Sequence, residues 1–460
     1  MDYDTVIGAG LAAAGVWLLL HWANRLIGVL LAASNMVSDI RLFTSESVTK
    51  GHPDKICDHI ADAVVDACLR QDPGARVACE VLVKGTDEGS LIVLAGEITV
   101  AGDKPDYEGI AREAALAIGY VDHEMGMDAR TCDVQVHITT QSQDIARGVD
   151  KEELEQGAGD QGLMFGFACD ESESFAGLKG TYMPLSALLS QRLTRKLSEV
   201  REKGVLSWVR PDGKSQVTVR YTGPGKPESL KTVVIATSHD DMVDGSGHPD
   251  ITSVEAEQAF IEEQIIEHVI LPVIPAELLQ DTDFIVNGTG RFVRCGPRGD
   301  AGVTGRKLVV DSYGGMGRHG GGAYSGKDPS KVDRSGAYAA RWAAKHIVAS
   351  GLATRCEIQL AYAIGVAEPM SIFLSSKRTA FLPDEEVQRR VEEVFDFRPG
   401  SIIRVLDLAK PIYSKTASGG HFGRSPTDEG HFSWELLDQA LLEKLRQGIP
   451  ADQLHTTLEV

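Results

Sequence analysis

The 460-residue chain has few cysteines and no recognisable nucleophile or zinc motif. Its seven cysteines are scattered and odd in number, and no two form a CxxC pair. This usage argues against a disulfide scaffold or a structural zinc site and is typical of a reduced, cytoplasmic chain. No Ser-His-Asp set, Cys-His pair or zinc cluster can be recognised either. The chemistry, if there is any, must rest on other groups.

Positive charge is also scarce. The sequence has 46 lysines and arginines against 66 aspartates and glutamates, which gives a net charge of −20 and an isoelectric point near 5.1. Such a surface repels nucleic acid and anionic lipid at long range, so we expect no nucleic-acid partner. An anionic substrate would need cations gathered locally.

A long uninterrupted apolar run is missing as well. The apolar beginning of the chain is broken at His21, Asn24 and Arg25, whereas a membrane-spanning helix needs about 20 consecutive apolar residues. Its Gly-Ala-Gly turn lacks the acidic residue that follows about 20 positions later in a dinucleotide site. Two interpretations stay open: residues 1–38 are a dispensable apolar extension outside the catalytic fold, or residues 6–34 form a membrane anchor.

The rest of the chain alternates between strand-like and helix-like patterns. Predicted strands fall into three groups: 76–84, 90–100 and 132–140; 216–221, 231–238 and 283–287; 307–313, 357–364 and 370–375. Helices are predicted between them at 55–70, 253–270 and 330–350. We therefore expect an α+β fold of three similar β-sheet and helix subdomains, related by pseudo-threefold symmetry and preceded by the N-terminal apolar extension. The expected bounds are 40–141, 155–293 and 294–432, with a C-terminal tail at 433–460.

The stretch ESVTKGHPDKICDHIADAVVDACLRQDPG, residues 46–74, carries the first candidate site. Pro53 suits the first position of a helix, which places His52, Asp54 and Lys55 together at the helix N-terminus. Free backbone N–H groups there favour an anion, and a carboxylate beside a phosphate makes sense if it holds Mg²⁺. The alternative is a capped surface helix with charges in its first turn.

Two shorter stretches are less specific. In EQGAGDQGLMFGF, three glycines surround Asp160 and Gln161, which lets a backbone approach a ligand closely or simply turns into a buried strand. In VLAGEIT, Glu97 stands in an otherwise apolar strand. A buried carboxylate there would be bonded to a neighbouring strand or aimed at a cationic group of a ligand.

Residues 291–345 reverse the charge of the chain. They hold eleven lysines and arginines against four aspartates, a net charge of +7. Within them Gly321, Gly326 and Lys327 nearly match a P-loop, although Asp328 replaces the Ser or Thr that would hold Mg²⁺. Asp328 and Pro329 also predict the cap and first residue of a helix that reaches about residue 350. The stretch predicts polyphosphate binding, and a P-loop-type nucleoside triphosphatase remains an alternative.

The candidate stretches suit a reaction in which polyphosphate is the leaving group. Such a reaction needs cations, carboxylates that hold Mg²⁺, and precise positioning of the reactants. The motifs GHPDKICDHIADAVVDA, GAGDQGLMFGF and GGGAYSGKDPSKVDRSGAYAAR resemble those of the S-adenosylmethionine synthetases, in the family's order and from about Leu42 to Phe432. The resemblance implies that the methionine thioether attacks C5′ of ATP and expels triphosphate, which is then hydrolysed to diphosphate and phosphate. A membrane-attached binding protein on an inactive synthetase fold is the other alternative.

The resemblance also implies a role for individual residues. The implied catalytic residues are His52, Lys214, Asp300, Arg306 and Lys327. The implied ATP contacts are His52, Asp212, Lys214, Arg291, Phe292, Asp300, Arg306, Lys307, Ala323 and Lys327. The implied methionine contacts are Glu97, Gln141, Asp160, Asp300 and Lys331. Two Mg²⁺ ions per site would be held by Asp54 and Asp333, and one K⁺ by Glu80. The family's sites are shared between subunits, which implies a homodimer or homotetramer.

Overall fold

The computed structural model describes residues 41–141, 156–243, 248 and 250–455, so the predictions about residues 1–38 lie outside it. In this part a unit of strand, helix, hairpin and helix occurs three times. The first unit consists of β1 (Arg41–Val48), α1 (Pro53–Gln71), β2 (Arg76–Gly85), β3 (Ser90–Thr99), α2 (Tyr107–Ile118), a small pair β4 (Val121–Asp122) and β5 (Met127–Asp128), and β6 (Asp133–Thr139).

The second and third units follow the same plan. The second consists of β7 (Gly162–Cys169), α3 (Leu185–Glu202), β8 (Val209–Gly223), β9 (Lys226–His239), α4 (Val254–Ile265) and β10 (Asp283–Val286). The third consists of α5 (Gly296–Gly299), β11 (Gly302–Val303), α6 (Leu308–Asp311), α7 (Val332–Ala349), β12 (Arg355–Tyr362), β13 (Ser371–Ser375) and α8 (Asp384–Val394). Helices α9 (Pro399–Val405) and α10 (Gln439–Arg446) complete the described chain.

Each sheet takes one strand from another unit. The strand orders are β11-β2-β3-β6, β1-β8-β9-β10 and β13-β12-β7. Thus β1 pairs antiparallel with β8, β7 with β12, and β11 with β2, while β6 and β10 join their sheets in parallel. This cyclic exchange of first strands confirms the α+β fold with three related subdomains.

The long helices α1, α3 and α7 cover one face of the sheets and form the core with it. Helix α7 is rich in alanine, and strand β7 approaches it closely enough that a Cβ at Gly166 would lie 2.0 Å from the carbonyl carbon of Ala340. Glycine is therefore required at that position. Helix α1 is buried on nearly every side, because β2 and β11 as well as α2 contact it.

The opposite faces of the sheets are open. In β2 the side chains of Val77, Cys79, Val81 and Val83 are buried, whereas the alternating Glu80 and Leu82 are exposed. The other open faces also expose apolar side chains, namely Leu163, Ile285 and Phe373. We call these surfaces the open sheet faces.

Two elements were predicted wrongly. Residues 307–313 are not a strand but contain the one-turn helix α6. The segment is held in this form because Lys307 pairs with Asp54 and Asp311 pairs with the buried Lys55. Helix α7 does not begin at Pro329 but at Val332, since the Asp328 carboxylate does not cap it. None of the helices in the described ranges is both long and apolar enough to cross a membrane.

Candidate functional site

The first group of candidate residues lies at the N-terminus of α1, and we call it the N-cap cluster (His52, Asp54, Asp212, Lys214, Asp300, Arg306 and Lys307). His52 is the N-cap of α1, and its Nδ1 accepts a hydrogen bond from the Asp54 backbone N–H at 3.2 Å. The Asp54 carboxylate accepts from the backbone N–H of Val303 at 3.0 Å and from Lys307 Nζ at 2.5 Å. Arg306 Nη1 lies 3.5 Å from Asp54 Oδ1, the oxygen that accepts from Val303, whereas Lys307 contacts Oδ2. The first turn of α1 and the β11–α6 turn thus meet at one carboxylate.

His52 is uncharged in this cluster. Burial and the nearby Lys307 lower its pKa to about 3, against the opposing influence of Asp54. Since Nδ1 accepts from a backbone N–H, the proton of the neutral ring must sit on Nε2. His52 therefore offers one N–H donor to a ligand at the positive end of α1.

Asp54 stays ionised although it is buried. Burial acts to raise its pKa, but the hydrogen bonds from Lys307 and the Val303 N–H outweigh burial and lower it. A buried, ionised carboxylate that faces two cationic side chains is suited to hold a divalent cation next to a phosphate. In this structure the Lys307 ammonium is the cation nearest to that carboxylate.

Asp212 is buried at the edge of the same cluster. Its Oδ2 accepts from the Gly296 N–H at 3.0 Å, while Oδ1 has no hydrogen-bond partner within the described ranges. Burial raises its pKa to about 6, although the Gly296 N–H and Lys214 act to lower it. An unpartnered buried oxygen of this kind can accept a hydrogen bond from a polar ligand.

Replacing Asp212 with asparagine tests this burial. Because the pKa is raised from 3.8 to about 6, the folded state holds the proton more tightly, so the cost of burial is absent below about pH 4 and complete above about pH 6. We expect the stability of Asp212→Asn relative to the parent to rise over that interval, measured by urea unfolding without ligands. Asp103→Asn, at an exposed loop carboxylate, controls for the lost charge. A pH-independent difference would contradict the prediction.

The second group lies around the glycine turn before α7, and we call it the glycine-turn cluster (Glu80, Asp160, Lys327, Lys331 and Asp333). Lys327 Nζ lies 2.5 Å from Asp333 Oδ2, and both side chains are half-buried. Lys331 Nζ contacts Asp328 Oδ1 at 2.6 Å. Any side chain at Gly322 would collide with Asp333, since a Cβ there would lie 2.1 Å from Oδ1. The turn therefore brings its backbone against the Lys327–Asp333 pair.

Glu80 and Asp160 lie close to this pair. Desolvation raises the pKa of Glu80, while Lys327 acts to lower it, so the two groups interact. Asp160 is exposed and follows Gly159, where a Cβ would lie 3.1 Å from the Ser330 carbonyl oxygen. The GAGDQG segment and the glycine turn are therefore neighbours.

The glycine turn is fixed by strand β2 and by helix α1. The Cys79 N–H donates to the Gly326 carbonyl at 2.9 Å, and the Gly326 N–H donates to Asp62 Oδ1 at 3.0 Å. Arg334, on α7, donates hydrogen bonds to both oxygens of Asp62 at 2.7 and 2.9 Å, and both side chains are fully buried. Arg334 therefore holds the turn in place and is not available to a ligand.

In a P-loop, the lysine opens the helix that follows the phosphate-binding turn. Here Lys327 instead forms a β-bridge with Ala78, and helix α7 begins five residues later, at Val332. The resemblance to a P-loop is thus confined to residue types, which disfavours the nucleoside triphosphatase alternative.

Glu97 and Gln141 extend the glycine-turn cluster across a sheet. Strand register places Ala78 between Lys327 on one side and Glu97 on the other, so the two backbones are about 10 Å apart at two strand spacings. The Gln141 N–H donates to the Thr99 hydroxyl at 3.3 Å, which puts it near the end of the same strand. Glu97 is exposed on an open sheet face, so the premise that it is buried was wrong.

Four further residues that the sequence predicts for the site belong to neither cluster and make other contacts. Arg291 binds Glu257 at 2.7 Å and contacts Asp241, and the Phe292 N–H donates to His239 Nε2 at 3.0 Å. Ala323 touches Gly305, the residue before Arg306, and so links the two clusters. Lys55 was expected at the anion site, but it is fully buried and paired with Asp58 and Asp311.

Sequence reasoning missed the residues that support the site. Asp58 and Asp62 accept from the backbone of Gly305 and Gly326 and so position both clusters, and Glu257 orients Arg291. Asp58 and Asp62 are spaced on α1 like residues of a solvated polar face, so no local signal would have found them.

A closed metal site is missing from the described ranges, since they contain no group of three or more His, Cys, Asp or Glu side chains that could hold a metal ion. Asp54 and Asp333 are single hard carboxylates, each facing a lysine ammonium at 2.5 Å. That donor set fits Mg²⁺, which keeps several waters and is bound through one or two carboxylates plus substrate phosphates.

Three family models match the chain one after another. The N-terminal domain of S-adenosylmethionine synthetase matches residues 40–143, the central domain residues 155–292, and the C-terminal domain residues 295–436. The matches cover most of the chain, and both clusters lie within them. The chain therefore belongs to the S-adenosylmethionine synthetase family, the methionine adenosyltransferases that make S-adenosylmethionine from ATP and methionine.

Proposed function

We propose that this chain makes S-adenosylmethionine by direct attack of the methionine sulfur on C5′ of ATP, with triphosphate as the leaving group. The triphosphate is then hydrolysed to diphosphate and phosphate. The observation that carries the proposal is the pair of lysine–carboxylate contacts, Lys307–Asp54 and Lys327–Asp333, one in each cluster. A polyphosphate with its cations would replace both contacts, because the lysines can turn to phosphate oxygens.

The attack itself asks little of the protein. A thioether sulfur carries no proton, so no general base is required, and none of the described cluster residues has the surroundings of a nucleophile. Catalysis then rests on placing the sulfur in line with C5′ and on stabilising charge that develops on the triphosphate. Neutral His52 donates a hydrogen bond from its Nε2–H to the leaving phosphate oxygen and keeps the proton, and Lys214, Arg306 and Lys327 supply positive charge.

The remaining roles follow the family. Asp212, Arg291, Phe292, Lys307 and Ala323 contact ATP, and Asp300 lies between ATP and methionine. Glu97, Gln141, Asp160 and Lys331 bind methionine, with carboxylates for its amino group and Lys331 for its carboxylate. The exposure of Glu97 supports this role, because a ligand can reach it.

Metal ions complete the site. Asp54 and Asp333 would each hold one Mg²⁺, which would supply neutralising charge to the triphosphate, and Glu80 would hold one K⁺. Desolvation raises the pKa of Glu80 although Lys327 acts to lower it, and a further cation nearby would offset that desolvation, which supports the proposed site.

We also propose that the working unit is a homodimer or a larger homo-oligomer with shared sites. The open sheet faces carry both candidate ligands, Glu80 and Glu97, and exposed apolar side chains such as Leu82, Leu163 and Phe373. Exposed apolar patches of this kind mark interaction surfaces. A second copy seated there would cover them and enclose the methionine subsite.

The decisive experiment separates the synthetase from its alternatives. Purified protein is incubated with ATP, methionine, Mg²⁺ and K⁺, and S-adenosylmethionine, diphosphate and phosphate are quantified. We expect all three products in equal amounts and none without methionine. Release of phosphate alone, independent of methionine, would indicate a nucleoside triphosphatase, and no turnover at all would indicate a binding protein. Either result would overturn the proposal.

A further inference from the structure

A cavity of about 440 Å³ has none of the residues of the two clusters in its lining. It is formed by the turn after β1, by α1, by the C-terminal half of α3, and by residues 414–424. Five cationic side chains line it, from Lys50, Arg195, Lys203, Lys415 and Arg424, against only Glu199 and Glu202. This is a local excess of positive charge in a chain of net charge −20.

Arg195 and Arg424 have no carboxylate partner in the described ranges. Arg195 donates to the Gly419 carbonyl at 2.9 Å, and Arg424 donates to the carbonyls of Ser418 and Gly420 at 3.1 and 3.4 Å. Burial lowers the pKa of Arg195 to about 9, with the Arg424 charge adding to the effect, and burial lowers the pKa of Arg424 to about 10. Two adjacent guanidinium groups thus lose hydration without a compensating negative charge, which is costly.

The two lining carboxylates do not supply that charge. Glu202 pairs with Lys50 at 2.5 Å, and Glu199 pairs with Lys203 at 2.7 Å and with Lys196 at 3.4 Å. Every carboxylate of the cavity is therefore already neutralised by a lysine. The guanidinium groups are left to a ligand.

We propose that this cavity binds an inorganic phosphate anion of the diphosphate type. Guanidinium groups offer N–H donors in a planar fork that matches phosphate oxygens, and two of them reach the cavity from separate elements, α3 and the 414–424 loop. The His59 ring and the Ser418 hydroxyl, joined by a 3.0 Å hydrogen bond, add neutral polar groups to the wall. The lining side chains carry an excess of three positive charges, although Lys415 also lies 3.6 Å from Glu429. This excess favours a polyvalent anion over a carboxylate.

The test is calorimetric titration of the full chain with inorganic diphosphate, phosphate and ADP in the presence of a chelator. Because the proposed catalytic centre also takes polyphosphate, the same titrations are made on the double variant Arg306→Ala with Lys327→Ala, which removes one cation from each cluster. We expect a diphosphate site that survives the double variant and that Arg195→Gln weakens by about tenfold or more. Diphosphate should bind more tightly than phosphate or ADP.

Two further variants make the result specific. Lys196→Gln removes the same charge from the same helix but does not line the cavity, so its isotherm should match the parent. Lys415 lines the cavity and its side chain is 61% exposed. Lys415→Gln should therefore leave the fold intact and weaken diphosphate binding about threefold. Diphosphate binding that is unchanged in both Arg195→Gln and Lys415→Gln would overturn the proposal. ADP binding as tightly as diphosphate would overturn the assignment to an inorganic anion.

Discussion

Replacing Lys327 with alanine should lower kcat by about 100-fold or more. The ammonium lies 2.5 Å from Asp333, is half-buried, and is held in place through the β-bridge to Ala78. In the proposed reaction this charge would be positioned before the triphosphate separates from C5′ and gains negative charge. Such preorganised charge acts more strongly on the transition state than on bound ATP, so the loss should appear in kcat more than in KM.

Steady-state kinetics with ATP and methionine varied separately would measure this effect. Lys327→Arg keeps the charge but not the compact ammonium, and we expect it to recover only part of the lost rate. Lys196→Ala, at a lysine of α3 that belongs to neither cluster, is the control for loss of a surface charge. An unchanged kcat with a raised KM would mean that Lys327 only binds ATP, and this would contradict the assigned role.

Much of the fold could be predicted because its signals are local. Alternation in β2 separates buried Val77 and Cys79 from exposed Glu80, and Pro53 after His52 marks the first turn of α1. The reversal of charge between residues 291 and 345 likewise indicated the segment that carries Lys327. These features follow from residue order alone, since each depends on neighbours within one element.

The errors concern contacts between distant parts of the chain. Asp58, Asp62 and Asp66 repeat every four residues and would ordinarily form the solvated face of α1, yet all three are buried. Their partners, Gly305, Arg334 and Tyr413, lie 247, 272 and 347 residues away. Likewise the 307–313 segment has the pattern of a strand, but ion pairs from Lys307 to Asp54 and from Asp311 to Lys55 hold it as one helical turn.

The same long-range contacts decide which basic residues can serve the site. Lys327 and Arg334 are seven residues apart in one cationic segment, and composition does not distinguish them. The structure does, because Arg334 is fully buried in a bidentate pair, whereas the Lys327 side chain is 21% exposed and pairs with a single carboxylate. Only a cation that can exchange its partner for a phosphate can act in the proposed reaction, so burial separates the supporting Arg334 from Lys327, which we propose to be catalytic.

Replacing Asp62 with alanine should destabilise the protein by about 3–5 kcal/mol, the largest loss of stability that we expect from one substitution. Both oxygens of Asp62 bind Arg334, and one also accepts from the Gly326 N–H. The variant leaves the Arg334 guanidinium buried with only neutral partners, such as the hydroxyls of Tyr338 and Thr416. Thermal and urea unfolding of both proteins in parallel measure the difference.

The buried charge, not the lost contact area, should dominate this effect. Asp62→Ala combined with Arg334→Met removes both charges, and we expect it to recover a large part of the stability that Asp62→Ala loses. Glu108→Ala breaks the exposed Arg112–Glu108 pair on α2, also 2.7 Å long, and should cost no more than about 0.5 kcal/mol. Equal losses for Asp62→Ala and Glu108→Ala would show that Asp62 does not anchor the glycine turn. Because Asp62 holds Gly326 next to Lys327, the kcat of folded Asp62→Ala should fall as well, and Glu108→Ala should leave kcat unchanged.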